Sequence, residues 1–416
     1  MRFLKMVLVT ALLSGLVFAG SVWLNQKTPD YQSELAKIER EISQLNGDSS
    51  RQSGDGEQTL RWIYLLYLRA SLTANPDHFR LAEAEIDKAI RTIGPSEELY
   101  LARANLNLKR HRLQAAKADL ERLPDWAENP KIAVLKADID LQDGKYEEAR
   151  RACENLILHH RSWDNLARLA YLKAIIGDVS GAEALYTEAE EEITVKEMRS
   201  YAWIELQRGL LDLNHGRHEQ ALGHYLRADK AYSGHWLVEE YLAELLGAQR
   251  KYDEAVARFE RVVSQAPRPE LYQALGDLYL FMGKPDHAKP WHDKALEGYL
   301  ESVREGEVLY FHHLAAFYAD VREDGPEAVR WARKDLDLRR NFAAHDAMAW
   351  ALYRNGQFAE ARGQMNEALA TGVKDARLFF HAAMIHLAAG QSDEGRRFLQ
   401  LAAEINPRYE AFHVHR

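Results

Sequence analysis

Ten small residues recur at a nearly fixed interval along this 416-residue chain: Ala82, Ala116, Ala149, Ala182, Ala221, Ala255, Ala288, Ala328, Ala361 and Gly395. Successive gaps are 34, 33, 33, 39, 34, 33, 40, 33 and 34 residues. A unit of this length is too small to bury its own apolar face, and it does so by stacking helical hairpins on one another. A chain this long would otherwise split into domains, because single cores stop growing near about 250–300 residues. An array grows in one dimension and escapes that limit. Runs of β-branched residues bounded by turn signals are absent, which predicts an all-α chain.

A second series of small residues precedes the first by twelve: Ala70, Ala104, Ala137, Ala170, Gly209, Ala243, Gly276, Ala316, Ala349 and Ala383. Paired small stations are what two helices need where their backbones come closest, since a larger side chain there would force them apart. Gly144, Gly177, Gly216, Gly283, Gly356 and Gly390 fall five residues before the first series, where a helix C-cap requires left-handed backbone. Pro267 and Pro407 mark the ends of second helices. The first unit carries Asn75-Pro-Asp-His78, which reads as an enlarged turn. The gaps of 39 and 40 place extra helix near Glu190–Ser200 and Tyr299–Gly306.

The clearest unit is Leu271 to Ala295, with Tyr272, Leu275, Gly276, Tyr279, Gly283, Ala288 and Ala295 in register. It resembles the tetratricopeptide repeat, departing from it at His292, which stands where that repeat has an aromatic residue. The resemblance implies a right-handed α-solenoid of about ten hairpins over residues 59–408, followed by a tail over 409–416. It implies a protein-binding array of the bacterial membrane-anchored or exported type, and it is nearly silent about the partner.

The start of the chain suggests where the array resides. Arg2 and Lys5 precede Met6–Leu24, a run of 19 residues without a charge, on the border between a signal-peptide core and a membrane-spanning helix. Residues 1–25 are therefore expected to be a signal-anchor or a cleaved signal peptide. Either would put the repeats beyond the cytoplasmic membrane, anchored and facing the periplasm or secreted into it. Residues 26–58 then read as an amphipathic stalk helix, with Leu35, Ile38, Ile42 and Leu45 on one side, and a flexible tether from Asn46 to Gln58.

The residues speak against most chemistry. A net charge of −9, with bases and acids interspersed, does not suit a nucleic-acid binder. Cys153 is the only cysteine and falls at a groove-filling position, so a buried structural thiol is expected. His218 and His224 are six residues apart and leave opposite faces of a helix, which prevents a shared metal ion. No phosphate-binding glycine loop or nucleophile elbow occurs. No enzyme, cofactor or metal is expected.

Binding remains. In tetratricopeptide arrays the first helices line a groove through the second, fifth, ninth and twelfth positions of the repeat. Those positions here hold Tyr310, His313, Phe317 and Asp320; then Asp346, Trp350 and Tyr353; then Arg377, Phe380 and Met384. Earlier units supply Tyr171, Trp203, Glu240, Glu244 and Asp277. The Lys and Asn pattern with which some relatives clamp chaperone tails is missing. The candidate partner-binding residues are Tyr310, His313, Phe317, Trp350, Tyr353, Arg377 and Phe380, with packing between hairpins as the competing role for the same aromatics. The expected function is a scaffold for a partner protein of an envelope complex. The alternative is an accessory that binds glycans or small solutes for a transport or polysaccharide system.

Overall fold

The computed structural model describes residues 30–46, 56–123, 129–194 and 196–414. Twenty-one helices and no strand occur among them. After α1 (Tyr31–Asn46), ten antiparallel hairpins follow. They pair α2 (Gly56–Thr73) with α3 (Pro76–Thr92), α4 (Glu97–Lys109) with α5 (Leu113–Leu120), and α6 (Pro130–Gln142) with α7 (Tyr146–His159). Next come α8 (Trp163–Ile175) with α9 (Val179–Glu192), α10 (Met198–Asn214) with α11 (His218–Ala231), and α12 (Trp236–Ala248) with α13 (Tyr252–Gln265). The last four are α14 (Pro269–Phe281) with α15 (Pro285–Arg304), α16 (Phe311–Asp320) with α17 (Gly325–Leu338), α18 (Phe342–Arg354) with α19 (Phe358–Ala370), and α20 (Ala376–Ala388) with α21 (Ser392–Ile405). The chain is an all-α solenoid.

Both small-residue series are buried along their whole length. The reason is visible at Gly276, where an added Cβ would strike the His292 ring from the second helix of the same hairpin. At Gly209 the Tyr225 ring occupies the same space. His292 therefore does the aromatic residue's work, and its Nε2 lies 2.8 Å from Asp277 Oδ1. The two long gaps are taken up mostly as helix: α15 runs 20 residues where most second helices have 14, and α10 runs 17 where most first helices have 13. The turn in the first unit is not enlarged. Asn75 caps α3 by accepting from the Asp77 N–H, and Pro76 opens the helix, so Pro-Asp-His belongs to its first turn.

Turns without glycine reach the left-handed region all the same. His111, Arg250 and Glu323 stand five residues before the small station and have φ of 59°, 64° and 51°.

The superhelix is wound so tightly that successive turns touch. The hairpin turn of one unit sits on the linker that follows the unit five hairpins later. Arg110 pairs with Glu307, and beside it Arg80, from α3 of the first hairpin, pairs with Glu305. Asn341 Nδ2 donates to Gln142 O at 2.8 Å, and Lys374 N donates to Ile175 O at 3.1 Å. Gly144 serves this seam twice. Its φ is 81°, and a Cβ there would come within 2.6 Å of the Arg340 carbonyl oxygen.

The helix α1 is not a lone stalk. Tyr31, Ile38, Ile42 and Leu45 are buried, and α1 packs on α2. Glu34 takes a hydrogen bond from Arg199 at 2.6 Å and one from the Tyr232 hydroxyl at 2.6 Å, which ties α1 to the fifth hairpin. The expected tether, Asn46 to Gln58, is helical at both its ends, since Asn46 closes α1 and Gly56 to Gln58 open α2; its residues 47–55, and the expected signal or anchor over 1–25, lie outside the described residues.

Candidate functional site

In the second half of the array the first helices enclose a cavity of about 590 Å³. Its walls come from α10, α12, α16, α18 and α20, together with residues after α21. Space exists because alanines line much of it: Ala315, Ala316, Ala343, Ala347 and Ala376. Ala316 is small in every unit, but the stations of Ala315 and Ala343 hold larger residues elsewhere, such as Arg103 and Trp203.

Trp350 dominates one wall. It stacks with Tyr353 (ring centroids 4.8 Å apart, 24° between planes) and with His381 (4.1 Å, 12°). Trp350 and Tyr353 are three residues apart and share a helix face. The Trp350 indole N–H donates to Asp320 Oδ1 at 2.8 Å. His381 Nδ1 lies 2.9 Å from Asp346 Oδ1, so the His381 ring is fixed on both its flank and its edge. Burial holds the Asp320 carboxyl above the ordinary carboxylate value, against the opposing pull of the Trp350 N–H and of His381, Arg377 and Arg354. Phe380, one turn from Arg377, meets Trp350 at 6.5 Å and Tyr409 at 6.0 Å. Asp375 caps α20 by accepting from the Arg377 and Leu378 N–H groups.

The seven candidate residues divide. Trp350, Arg377 and Phe380 line the cavity, and Tyr353 backs Trp350. Tyr310, His313 and Phe317 do not reach it. They are buried around Tyr299, whose ring centroid lies 5.0 Å from Tyr310 and 5.4 Å from His313. At these three positions the packing role accounts for the aromatic type. Both Glu240 and Glu244 are buried, and of the two Glu244 faces the cavity. Among the wall residues with no role assigned from sequence are four polar ones, His381, Tyr409, Glu410 and His413. His381 follows Phe380 and is one turn from Arg377, a usable signal. The other three lie beyond the repeats and carry none.

The wall holds no Ser, Thr, Cys or Lys among the described residues. Cys153 is buried in α7, in the third hairpin, where burial pushes its thiol up to about 12. His224 Nδ1 lies 2.8 Å from Glu205 Oε2, and no group of three or more His, Cys, Asp or Glu residues among the described residues could hold a metal ion. What the cavity offers is aromatic surface flanked by carboxylates, imidazoles and one guanidinium. That combination binds segments with mixed apolar and polar character.

Family models of the tetratricopeptide repeat match residues 269–297 and 347–410, the second covering Trp350, Arg377 and Phe380. Both stretches are tetratricopeptide repeats. The TPR repeat-containing protein YpiA of Bacillus subtilis (strain 168) is 27% identical over 190 residues, 43% of this chain and 42% of that protein. The alignment thus spans under half of the relative's length. Among solved structures, the human IFIT1 dimer with PPP-AAAA superposes with a TM-score of 0.47 at 13% identity, over 90% of this chain and 95% of that one. The Cut9–Hcn1 hetero-tetramer of APC/C gives 0.45 at 13% identity, over 91% and 80%. A tetratricopeptide repeat protein from Parabacteroides merdae gives 0.36 at 19% identity, over 59% and 93%.

Proposed function

We propose that this solenoid is a non-catalytic interaction scaffold that receives an extended segment or a helix of a partner protein in the lumenal cavity. The observation that carries this reading is the cavity itself, framed by first helices of five hairpins and furnished with Trp350, Phe380 and Arg377. Rigid aromatics beside an arginine are the residues that contribute most to binding when a partner excludes water around them. Crosslinking and pull-down from native membranes, with Trp350→Ala and Phe380→Ala chains in parallel, tests it. Each substitution should cut partner recovery at least about tenfold, the effect of a hot-spot residue, while the helical circular dichroism stays unchanged. Equal recovery from both variants would remove the lumen from the function.

The same proposal sets the array in a bacterial envelope, anchored in the inner membrane or released into the periplasm. Its support is the sequence Met1–Leu24 and the bacterial relative. Among the described residues no helix is long and apolar enough to cross a membrane. Carbonate extraction together with protease digestion of intact spheroplasts tests this. Cleavage of the array only after lysis would overturn it.

The second reading, a glycan- or small-solute-binding accessory, draws support from the cavity volume, which falls in the range of about 300–1,000 Å³ typical of small-molecule sites. Against it, Tyr353 and His381 both stack on Trp350 and leave less of its face for a sugar ring. A thermal-shift screen with glycans separates the two, since a protein scaffold should not respond.

A further inference from the structure

The seam between superhelical turns has one rung unlike the others. At the second to fifth hairpins the turn sits on a linker or cap within the array. At the sixth hairpin the corresponding place is taken by the far end of residues 406–414, a stretch that follows α21, contains no regular helix and meets the fifth turn at Gly216 through Asn406 and Arg408. Phe412 and Val414 are buried there and join a cluster with Ala243, Phe259 and Leu278.

The fit is specific. Gly247 lies within α12, where glycine is less stable than alanine. A Cβ at that position would strike the Phe412 ring, 2.9 Å from Cε1 and nearer still to Cδ1. The Phe412 ring meets Phe281 edge-on at 5.8 Å and Phe259 at 6.5 Å. Beside this notch the buried Glu244 carboxylate accepts the Val414 N–H at 3.0 Å and pairs with His413. An aromatic side chain, the aliphatic one two positions on, and a backbone N–H are thus each given a place. These are the parts by which an extended segment is recognised: main-chain bonding for affinity and alternate side chains for specificity.

We infer that the Gly247 notch and the Glu244 carboxylate form a segment-binding site, filled here by the chain's own residues 406–414. The partner it fits is an extended segment bearing an aromatic residue and, two positions later, an aliphatic one. Such a partner enters by displacing the chain's own segment. Since Tyr409, Glu410, His413 and Val414 also wall the lumenal cavity, displacement opens that cavity on one side. The site does not depend on whether a partner also binds at Trp350.

The test uses the full chain and a fluorescein-labelled synthetic peptide of residues 406–414, with anisotropy as the readout. The Phe412→Ala chain, whose own segment no longer holds the notch, should bind the peptide at least about tenfold more tightly than the parent. Adding Gly247→Ala to that chain should abolish the gain, because the new methyl closes the notch while favouring the helix. A peptide carrying Ala in place of Phe412 should not bind. Hydrogen exchange supplies a measurement independent of binding. Amides 411–414 should be protected in the parent and exchange at least about tenfold faster in Gly247→Ala, with α21 unchanged. Equal peptide affinity for parent and Phe412→Ala chains would overturn the assignment, as would unprotected amides in the parent. Trp350→Ala should leave peptide binding to the Phe412→Ala chain intact, so loss of the lumenal reading and loss of this one are distinguishable.

Discussion

Asp138 in α6 and Trp350 in α18 stand at the same station of their repeats, one residue after the small residue of the first helix, yet their surroundings are opposite. Around Asp138 the lumen is full. Arg168 reaches it at 3.0 Å and Asp164 at 2.9 Å, and Lys109, only 1% exposed, lies over the Tyr67 ring at 5.6 Å. Around Trp350 the neighbouring stations hold alanines, and a cavity remains. The backbone repeat decides where a side chain points. The size and charge of its neighbours decide whether that place becomes core or site. The seam shows the same contrast, with buried ion pairs in the early hairpins and the Phe412 segment at the sixth.

The largest expected effect is on the filled half. Arg110→Ala removes the closest partner of Glu307, which is 3% exposed in its side chain and keeps only Arg112 at 3.6 Å, and should cost about 3 kcal/mol of stability in urea denaturation. Trp350→Ala, in the open half, should cost clearly less; an equal loss would erase the distinction. Acid comes next. Burial lowers His111 to about 3 and His312 to about 4, both below the ordinary histidine value. Between pH 6.5 and those values the unfolded chain binds more protons, so stability falls as pH falls, by up to about 2 kcal/mol for each histidine at pH 5. The neighbouring Asp335, lowered by Arg339 and His312 against the raising effect of its burial, adds its loss only at pH below the usual carboxylate range. A chain with His111→Gln should show a shallower decline in melting temperature from pH 7 to pH 5.

Lys109 is the third test. Burial brings it down to about 7, so folding is penalised wherever the unfolded lysine is charged and the folded one is not. Lys109→Met should stabilise the chain by about 2 kcal/mol at pH 7, a gain that shrinks as pH rises toward 10. A gain that held steady across that range would show that packing, not charge, is responsible. The smallest effect is at Arg250, whose φ is 64° in a half-exposed turn. Arg250→Gly should raise stability by about 0.5 kcal/mol in thermal melts. The same change at buried His111, which also has positive φ but whose Nδ1 donates to Gln142 Oε1 at 3.0 Å, should not.

The hairpins were legible from residue spacing because their determinants are local. Ala82 and Ala70, or Gly276 and His292, meet within one unit, and the glycines at turns answer to backbone geometry alone. Trp350, Arg377 and Phe380 were legible for the same reason, as positions on one helix face. The seam was not. Arg110 and Glu307 are isolated charges in the sequence, 197 residues apart, and only the accumulated pitch of five hairpins brings them together. The burial of Tyr310, His313 and Phe317 depends on Tyr299, which the lengthened α15 carries into their midst. The docking of α1 and of Phe412 likewise depends on surfaces that exist only once a full superhelical turn has closed.

That closure changes how the chain can come apart. An open row of repeats frays from its tips, since each unit answers only to the two beside it. Here Gln142 is bonded to Asn341 and Ile175 to Lys374, so loosening one end also removes support from hairpins far away in sequence. The molecule should melt as a ring does, in a single concerted step, and should form slowly for a helical protein because these remote pairings must be found before they can reward the chain.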